Sequence, residues 1–120
     1  MLNLDTHILL HAAAGELTSA ESAALSRDPR WCISGIVLWE IEKLHAAGRI
    51  RAGLDDPSLA KFLDAVEVWP IDVQVCLHLR QLDFRGDPAD EIIAATSLAH
   101  RVALVTRDHR LRASRVLRCL

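Results

Sequence analysis

Two aspartates follow apolar segments that are short enough to be buried strands. Asp5 comes directly after Leu2–Leu4, and Asp108 comes three residues after the run Val102–Val105. In open parallel sheets, ligands bind beyond the carboxyl ends of the strands. If both runs are parallel strands, the two carboxylates lie at the edge of the sheet where ligands bind.

A third acid, Glu40, falls on the apolar side of a predicted helix. With 3.6 residues per turn, Glu40 shares a face with Ile36 and Leu44, so its side chain is directed toward the core. A carboxylate among aliphatic side chains is costly unless something positive satisfies it, and no lysine or arginine lies on the same stripe. A metal ion would satisfy the charge, but buried backbone N–H groups or a distant arginine would do so too.

The fourth acid, Asp90, lies near the start of a strongly apolar helix. Gly86-Asp87-Pro88 has turn chemistry, Asp87 is a natural N-cap, and Pro88 occupies the first helical position. Asp90 is then the third helical residue, where a carboxylate can bond back to the cap and oppose the helix dipole. The stretch therefore predicts either a capping acid or an acid at the mouth of a pocket.

The sequence thus predicts four carboxylates at one edge of one sheet. Hard oxygen ligands suit Mg²⁺ or Mn²⁺, whereas zinc would favour histidine or cysteine. Such an ion lowers the pKa of a bound water and withdraws charge from a phosphate oxygen. Phosphodiester hydrolysis is the chemistry that this set of residues fits best. Its members are Asp5, Glu40, Asp90 and Asp108.

Short apolar strands that alternate with helices predict the scaffold. Strands that are apolar throughout are typical of a parallel sheet covered on both faces, so the fold class is α/β. The predicted strands are Leu2–Leu4, Trp31–Ser34, Val66–Ile71, Val102–Val105 and Val116–Leu120. The predicted helices span residues 7–14 and about 19–27, and others begin at Gly35, Pro57, Asp72 and Pro88.

Length and composition indicate a single domain over residues 1–120. Apolar residues make up 51% of the chain and charged residues 25%, which is ordinary for a globular protein. No apolar run approaches a membrane span and no basic region precedes an apolar one at the N-terminus, so we expect a cytoplasmic protein with no membrane contact. The three cysteines predict buried thiols without a disulfide.

The net charge of −2 argues against a protein whose whole surface binds nucleic acid, although a local basic patch remains compatible with it. Five of the twelve arginines lie between Arg107 and Arg118. A solvated face explains such a cluster, and so does RNA, in which case Arg107 and Arg110 would hold phosphates near the metal. We interpret the six histidines as structural or surface groups.

With these residues in place, the chain resembles the PIN domain ribonucleases, and among them the VapC-type toxins of toxin–antitoxin pairs. Four segments carry the resemblance, and their order and spacing extend over nearly all 120 residues. They are LDTH at residues 4–7, SGIVLWEI at 34–41, DPADEIIAATS at 87–97 and LVTRD at 104–108.

The resemblance implies a three-layer α/β/α fold around a parallel sheet of about five strands. It also implies an Mg²⁺- or Mn²⁺-dependent endoribonuclease that forms a homodimer and is covered by an antitoxin, with the four acids as catalytic metal ligands. Thr6 and Thr106 match positions that help to orient the acids or a water, and Asp87 matches an acid for which we expect capping.

Two positions depart from the family pattern. Glu91 stands where relatives often have arginine, and Val37 replaces a small hydroxylated residue one turn before Glu40. Two other functions remain open. One is a PIN-like module that binds a partner without catalysis, and the other is a magnesium-binding receiver domain. A receiver domain would have paired acids after its first strand and a lysine after its last, whereas here Asp5 stands alone and the only lysines are Lys43 and Lys61.

Overall fold

The protein is described by a computed structural model covering residues 1–120. Four strands alternate with seven α-helices and one 3-10 turn, so the predicted α/β class is confirmed. The strands are β1 (Leu2–Leu4), β2 (Trp31–Ser34), β3 (Glu67–Trp69) and β4 (Ala103–Val105). The helices are α1 (Thr6–Ala14), α2 (Ser19–Leu25), α3 (Gly35–Ala46), α4 (Pro57–Asp64), α5 (Val73–His78), α6 (Pro88–His100) and α7 (His109–Arg112), and the 3-10 turn is Leu79–Gln81.

The strand order β3-β2-β1-β4 fixes where a ligand can bind. All neighbouring strands are parallel, and β1 is paired on one side with β2 and on the other with β4. The chain moves outward from β1 to β2 and β3, then returns across the sheet to β4 beside β1. The reversal leaves a crevice beyond the carboxyl ends of β1 and β4, which is the usual ligand site of such sheets.

Helices cover both faces of the sheet. Crossovers between parallel strands are right-handed. The crossovers to β2 and β3 run in one direction across the sheet, and the crossover to β4 runs in the other direction. The helices of these two sets of crossovers therefore lie on opposite faces of the sheet. In agreement, α1 packs against α4 and α5 packs against α6, while α3 contacts helices of both groups, α1 and α6. A core of 18 buried apolar residues lies between the layers, and the predicted three-layer arrangement is confirmed.

The predicted fifth strand is reduced to a single bridge. Leu104 pairs with Cys119 alone, through the bonds from Leu104 N to Arg118 O and from Leu120 N to Leu104 O. Residues just before it form a turn, in which the Ser114 hydroxyl accepts from Val116 N and Leu117 N. Because of this turn, only residues 118–120 of the predicted strand lie beside β4.

Two further details differ from the sequence predictions. Helix α7 was not predicted, and Cys76 is exposed although all three cysteines were expected to be buried. All three cysteines are free, as expected. None of the helices combines the length and the hydropathy needed to cross a bilayer.

Candidate active site

A cleft of about 360 Å³ opens at the crevice between β1 and β4. No apolar residue lines it, and five of its eight lining residues are acids. The structure thus brings together all four acids that the sequence placed at this edge. The lining residues are Asp5, His7, His11, Glu40, Asp87, Asp90, Arg107 and Asp108.

Asp5 is the most firmly held acid of the cleft. Its side chain is buried, with 5% of the residue surface exposed. Oδ1 accepts from the backbone N–H of Thr6 at 2.8 Å, and Oδ2 accepts from the Thr106 hydroxyl at 2.5 Å. Burial raises the pKa of Asp5 above its ordinary value, against the opposing effect of these two bonds. Asp5 therefore carries a desolvated carboxylate in a fixed orientation.

Thr106 links two of the acids through one hydroxyl group. While it donates to Asp5, the same oxygen accepts from the backbone N–H of Asp108 at 3.0 Å. Asp108 in turn caps α7, since its Oδ1 accepts from Arg110 N at 2.8 Å and from Leu111 N at 3.1 Å. The cap fixes the side chain and leaves Oδ2 outside these bonds.

Thr6 contributes to the site differently from Thr106. Its backbone N–H bonds to Asp5, whereas its buried hydroxyl oxygen has no hydrogen-bond partner. A buried polar atom without a partner is costly and is usually satisfied by a water or an ion. The unpaired hydroxyl belongs to the residue that follows Asp5 in the chain.

Glu40 reaches the cleft because α3 begins directly at the end of β2. Ser34 ends β2 and caps α3, with its hydroxyl accepting from Ile36 N at 3.2 Å. Glu40 is half-buried, while Val37 and Ile41 beside it are buried. The apolar face of α3 therefore opens onto the acidic cleft at Glu40, and the expected burial of this carboxylate among aliphatic groups is not observed.

The pKa of Asp90 is raised by its surroundings in the cleft. Its pKa is raised to about 6, first by burial and then by the charges of four other acids. Those acids are Asp5, Glu40, Asp108 and Asp87. Burial together with this repulsion indicates that Asp90 faces the other carboxylates across the same cleft.

Asp87 does not cap α6 as expected. It occupies the N-cap position, but its side chain makes no capping bond, and it is exposed at the cleft instead. The carboxylate of Asp87 thus adds charge to the acid cluster.

Asn3 supports the site and was missed in the sequence analysis. It is fully buried in β1, and its Nδ2 donates to Ile93 O at 3.1 Å and to Ser97 Oγ at 2.9 Å. These bonds attach α6 to β1, which holds Asp90 near Asp5. An amide in the middle of an otherwise apolar strand was the signal that could have identified it.

His7 and His11 line the cleft, contrary to our interpretation of the histidines as unrelated to the site. They are four residues apart on α1 and so share one helix face. That spacing was visible in the sequence and should have been recognised.

The two arginines considered for RNA are both engaged within the protein. Arg107 forms two bonds with Glu21, from Nε at 2.5 Å and from a terminal nitrogen at 2.7 Å. This pairing lowers the pKa of Glu21 to about 2. Arg110 donates to the backbone carbonyl of Arg85 at 2.8 Å. Only Arg107 lines the acidic cleft.

The donor atoms of the cleft suit a hard cation. No three His, Cys, Asp or Glu side chains are gathered into a ready coordination shell. Mg²⁺ is usually bound through one or two carboxylates and keeps several waters, so it needs no such shell. The carboxylates and their mutual repulsion fit a hydrated divalent ion.

Comparison with known proteins agrees with this architecture. Residues 3–116 match the model of the PIN domain family. Ribonuclease VapC22 of Mycobacterium tuberculosis (strain ATCC 25618 / H37Rv) is 31% identical over 118 residues, covering 93% of this chain and 90% of that protein.

Solved structures share the fold at lower identity. VapBC2 from Rickettsia felis, bound to a DNA fragment from its promoter, has a TM-score of 0.76 at 20% identity and covers 100% of this chain and 98% of its own. DNA-bound VapBC from Salmonella typhimurium has a TM-score of 0.74 at 20% identity, covering 99% and 96%.

Proposed function

The chain belongs to the PIN domain family, and on that premise we propose that it is a metal-dependent endoribonuclease that serves as the toxin of a toxin–antitoxin pair. The 31% identity to a ribonuclease over nearly the whole of both chains supports the activity. The single observation that carries the proposal is the convergence of Asp5, Glu40, Asp90 and Asp108 on one cleft at the topological switch point.

Mg²⁺ or Mn²⁺ is the ion that these four acids would hold. The donor set is made of carboxylate oxygens, which hard cations prefer. When bound, such an ion activates water and withdraws charge from the phosphate that is attacked. The raised pKa of Asp90 supports this assignment, because a cation would relieve the repulsion that raises it.

The individual acids differ in how the chain holds them. Asp5 and Asp108 are fixed by hydrogen bonds, and the Thr106 hydroxyl links them because it bonds to both residues. Glu40 approaches from the second turn of α3, and Asp90 approaches from the first turn of α6. We infer that Asp5 and Asp108 set the position of the ion, while the two helix-borne acids complete its surroundings. Asp87 then adds charge at the rim.

A cleavage assay on a broad RNA pool tests the proposal. The wild-type protein should cleave RNA with manganese and stop when chelator is added. Asp5→Asn should abolish cleavage while its circular dichroism spectrum and cooperative melting are retained. A folded wild type that cleaves no RNA at any manganese concentration would instead be a PIN module that only binds its partner.

We further propose that the protein acts in the cytoplasm and is bound there by an antitoxin protein. The solved structures with the same fold include toxin–antitoxin complexes, although their low identity establishes the fold alone. Co-expression with a candidate antitoxin gene product should yield a stable complex that no longer cleaves RNA. A free toxin that is fully active in the presence of that product would exclude it as the antitoxin.

A homodimer is supported by one exposed apolar surface. Strand β3 lies at the edge of the sheet, and the segment from β3 to α5 exposes Val68, Ile71, Val73 and Leu77. Val73 has 71% of its surface exposed, which a second copy would bury. Light scattering should show a dimer that Val73→Lys dissociates. A wild-type monomer at high micromolar concentration would refute this.

A further inference from the structure

A second cleft adjoins the acidic one and shares two of its walls. It has a volume of about 420 Å³, within the range of small-ligand sites. His7 and His11 line both clefts, so the second opens directly from the first. Its remaining lining residues are Leu10, Ala14, Glu16, Ile50, Arg51 and Ala52.

We propose that this second cleft is an RNA subsite that takes the nucleotide next to the scissile phosphate, with Arg51 holding the adjacent backbone phosphate. The proposal rests on the proposed ribonuclease function and adds a substrate contact to it. We call the cleft lined by these eight residues the nucleotide subsite.

The chemistry of the nucleotide subsite matches one unpaired nucleotide. Leu10, Ile50 and Ala52 provide an apolar surface for the face of a base. The imidazole rings of His7 and His11 provide stacking surfaces and N–H donors, and proteins recognise single-stranded RNA through such groups. Arg51 adds the positive charge that a backbone phosphate needs.

Charge also separates the two clefts. The acidic cleft would repel phosphate unless a cation is present, whereas the nucleotide subsite contains one carboxylate, Glu16. That carboxylate lies 3.5 Å from Nδ1 of His11, so its charge is directed at an imidazole. Arg51 forms no ion pair within the protein, unlike Arg107, which is held by Glu21.

The loop that carries Arg51 is closely packed. Ile50 is half-buried against the core, and Gly53 is buried. A Cβ atom at Gly53 would lie 3.0 Å from Nδ1 of His45 at the end of α3. The loop therefore approaches the end of α3 closely enough that a side chain at position 53 would displace the side chains of His45 and Asp55.

Fluorescence anisotropy with a labelled random-sequence 12-nucleotide single-stranded RNA tests the subsite. Chelator keeps the RNA intact during the measurement. Arg51→Ala should raise Kd roughly fivefold and lower the slope of log Kd against log salt by about 0.7, as expected for one lost phosphate contact. Ala14→Glu, a change at an exposed position that places a negative charge in the subsite, should also weaken binding.

Arg49→Ala is the matched control, because Arg49 is an exposed arginine two residues away that does not line the subsite. It should change Kd less than twofold. In manganese, Arg51→Ala should raise KM and leave kcat within about twofold, since the residue contacts substrate away from the reacting atoms.

Two results overturn the proposal in distinguishable ways. If the wild type binds and cleaves RNA while Arg51→Ala and Ala14→Glu match it in Kd, the cleft takes no RNA and serves another partner, such as a protein. If the wild type neither binds nor cleaves RNA, the subsite and the proposed function both fail.

Discussion

Replacing Asp90 with asparagine should stabilise the protein when no metal is bound. Asparagine has the same shape as aspartate but no charge, so Asp90→Asn removes one member of the acid cluster. The pKa of Asp90 is raised from 3.8 to about 6, and this shift corresponds to about 3 kcal/mol of unfavourable free energy in the folded state. Because the side chain is half-exposed, solvent screening reduces the figure to about 1–2 kcal/mol.

The sign of the pH dependence follows from the raised pKa. Between pH 3.8 and about 6 the folded state binds more protons than the unfolded state, so the free energy of unfolding falls as pH rises. The penalty is fully present above about pH 6 and absent below about pH 4. In chelator at pH 7.5, Asp90→Asn should therefore raise Tm by roughly 3–6 °C, and this gain should disappear near pH 4.

Manganese provides the complementary measurement. The wild type should gain about 2.7 kcal/mol when the ion is at a hundred times its Kd, while Asp90→Asn should gain much less. Differential scanning calorimetry of both proteins, with manganese and with chelator, measures the two effects. If Asp90→Asn melted below the wild type in chelator and still responded fully to manganese, Asp90 would be a structural residue of the helix start and not a metal ligand.

The other predictions concern the remaining residues of the site. Asp87→Asn should lower RNA cleavage less than Asp90→Asn, because Asp87 is exposed at the rim, and equal losses would show that both acids serve the reaction. Thr106→Val should lower cleavage strongly, because it removes the hydroxyl that bonds to both Asp5 and Asp108. Thr106→Ser keeps that hydroxyl and should lower cleavage only slightly. If Thr106 served only to pack, the serine variant would be the more damaging of the two. Asn3→Leu should cost about 1–2 kcal/mol on chemical denaturation through the loss of two buried hydrogen bonds, and an unchanged midpoint would contradict this.

The acids were predictable because local rules determine where each one lies along the chain. The segment Leu2–Leu4 before Asp5, apolar except for Asn3, indicates a buried strand end, and Pro88 marks the start of α6. The periodicity around Glu40 placed this acid on one face with Ile36 and Leu44, and all three are half-buried in the structure. These signals depend on near neighbours in the sequence, so the class of fold and the acid set followed from them.

The role of each acid depended on contacts that sequence spacing does not encode. The Thr106–Asp5 bond joins residues 101 apart, and the Asn3–Ser97 bond joins residues 94 apart. The same Asp-Pro motif begins α4 and α6, yet the capping bond is formed at Asp56 and not at Asp87, so the motif alone does not determine it.

Electrostatic coupling was likewise decided by tertiary structure. The sequence shows five acids but not the distances between them, and the pKa of Asp90 is raised because the strand order brings the others beside it. The same holds for His7 and His11, whose shared helix face was readable but whose position between two clefts was not. The sequence by itself determined the chemical groups and the elements that carry them. The tertiary structure determined which groups are neighbours, because Coulomb interactions and desolvation depend on distance and burial and not on order along the chain.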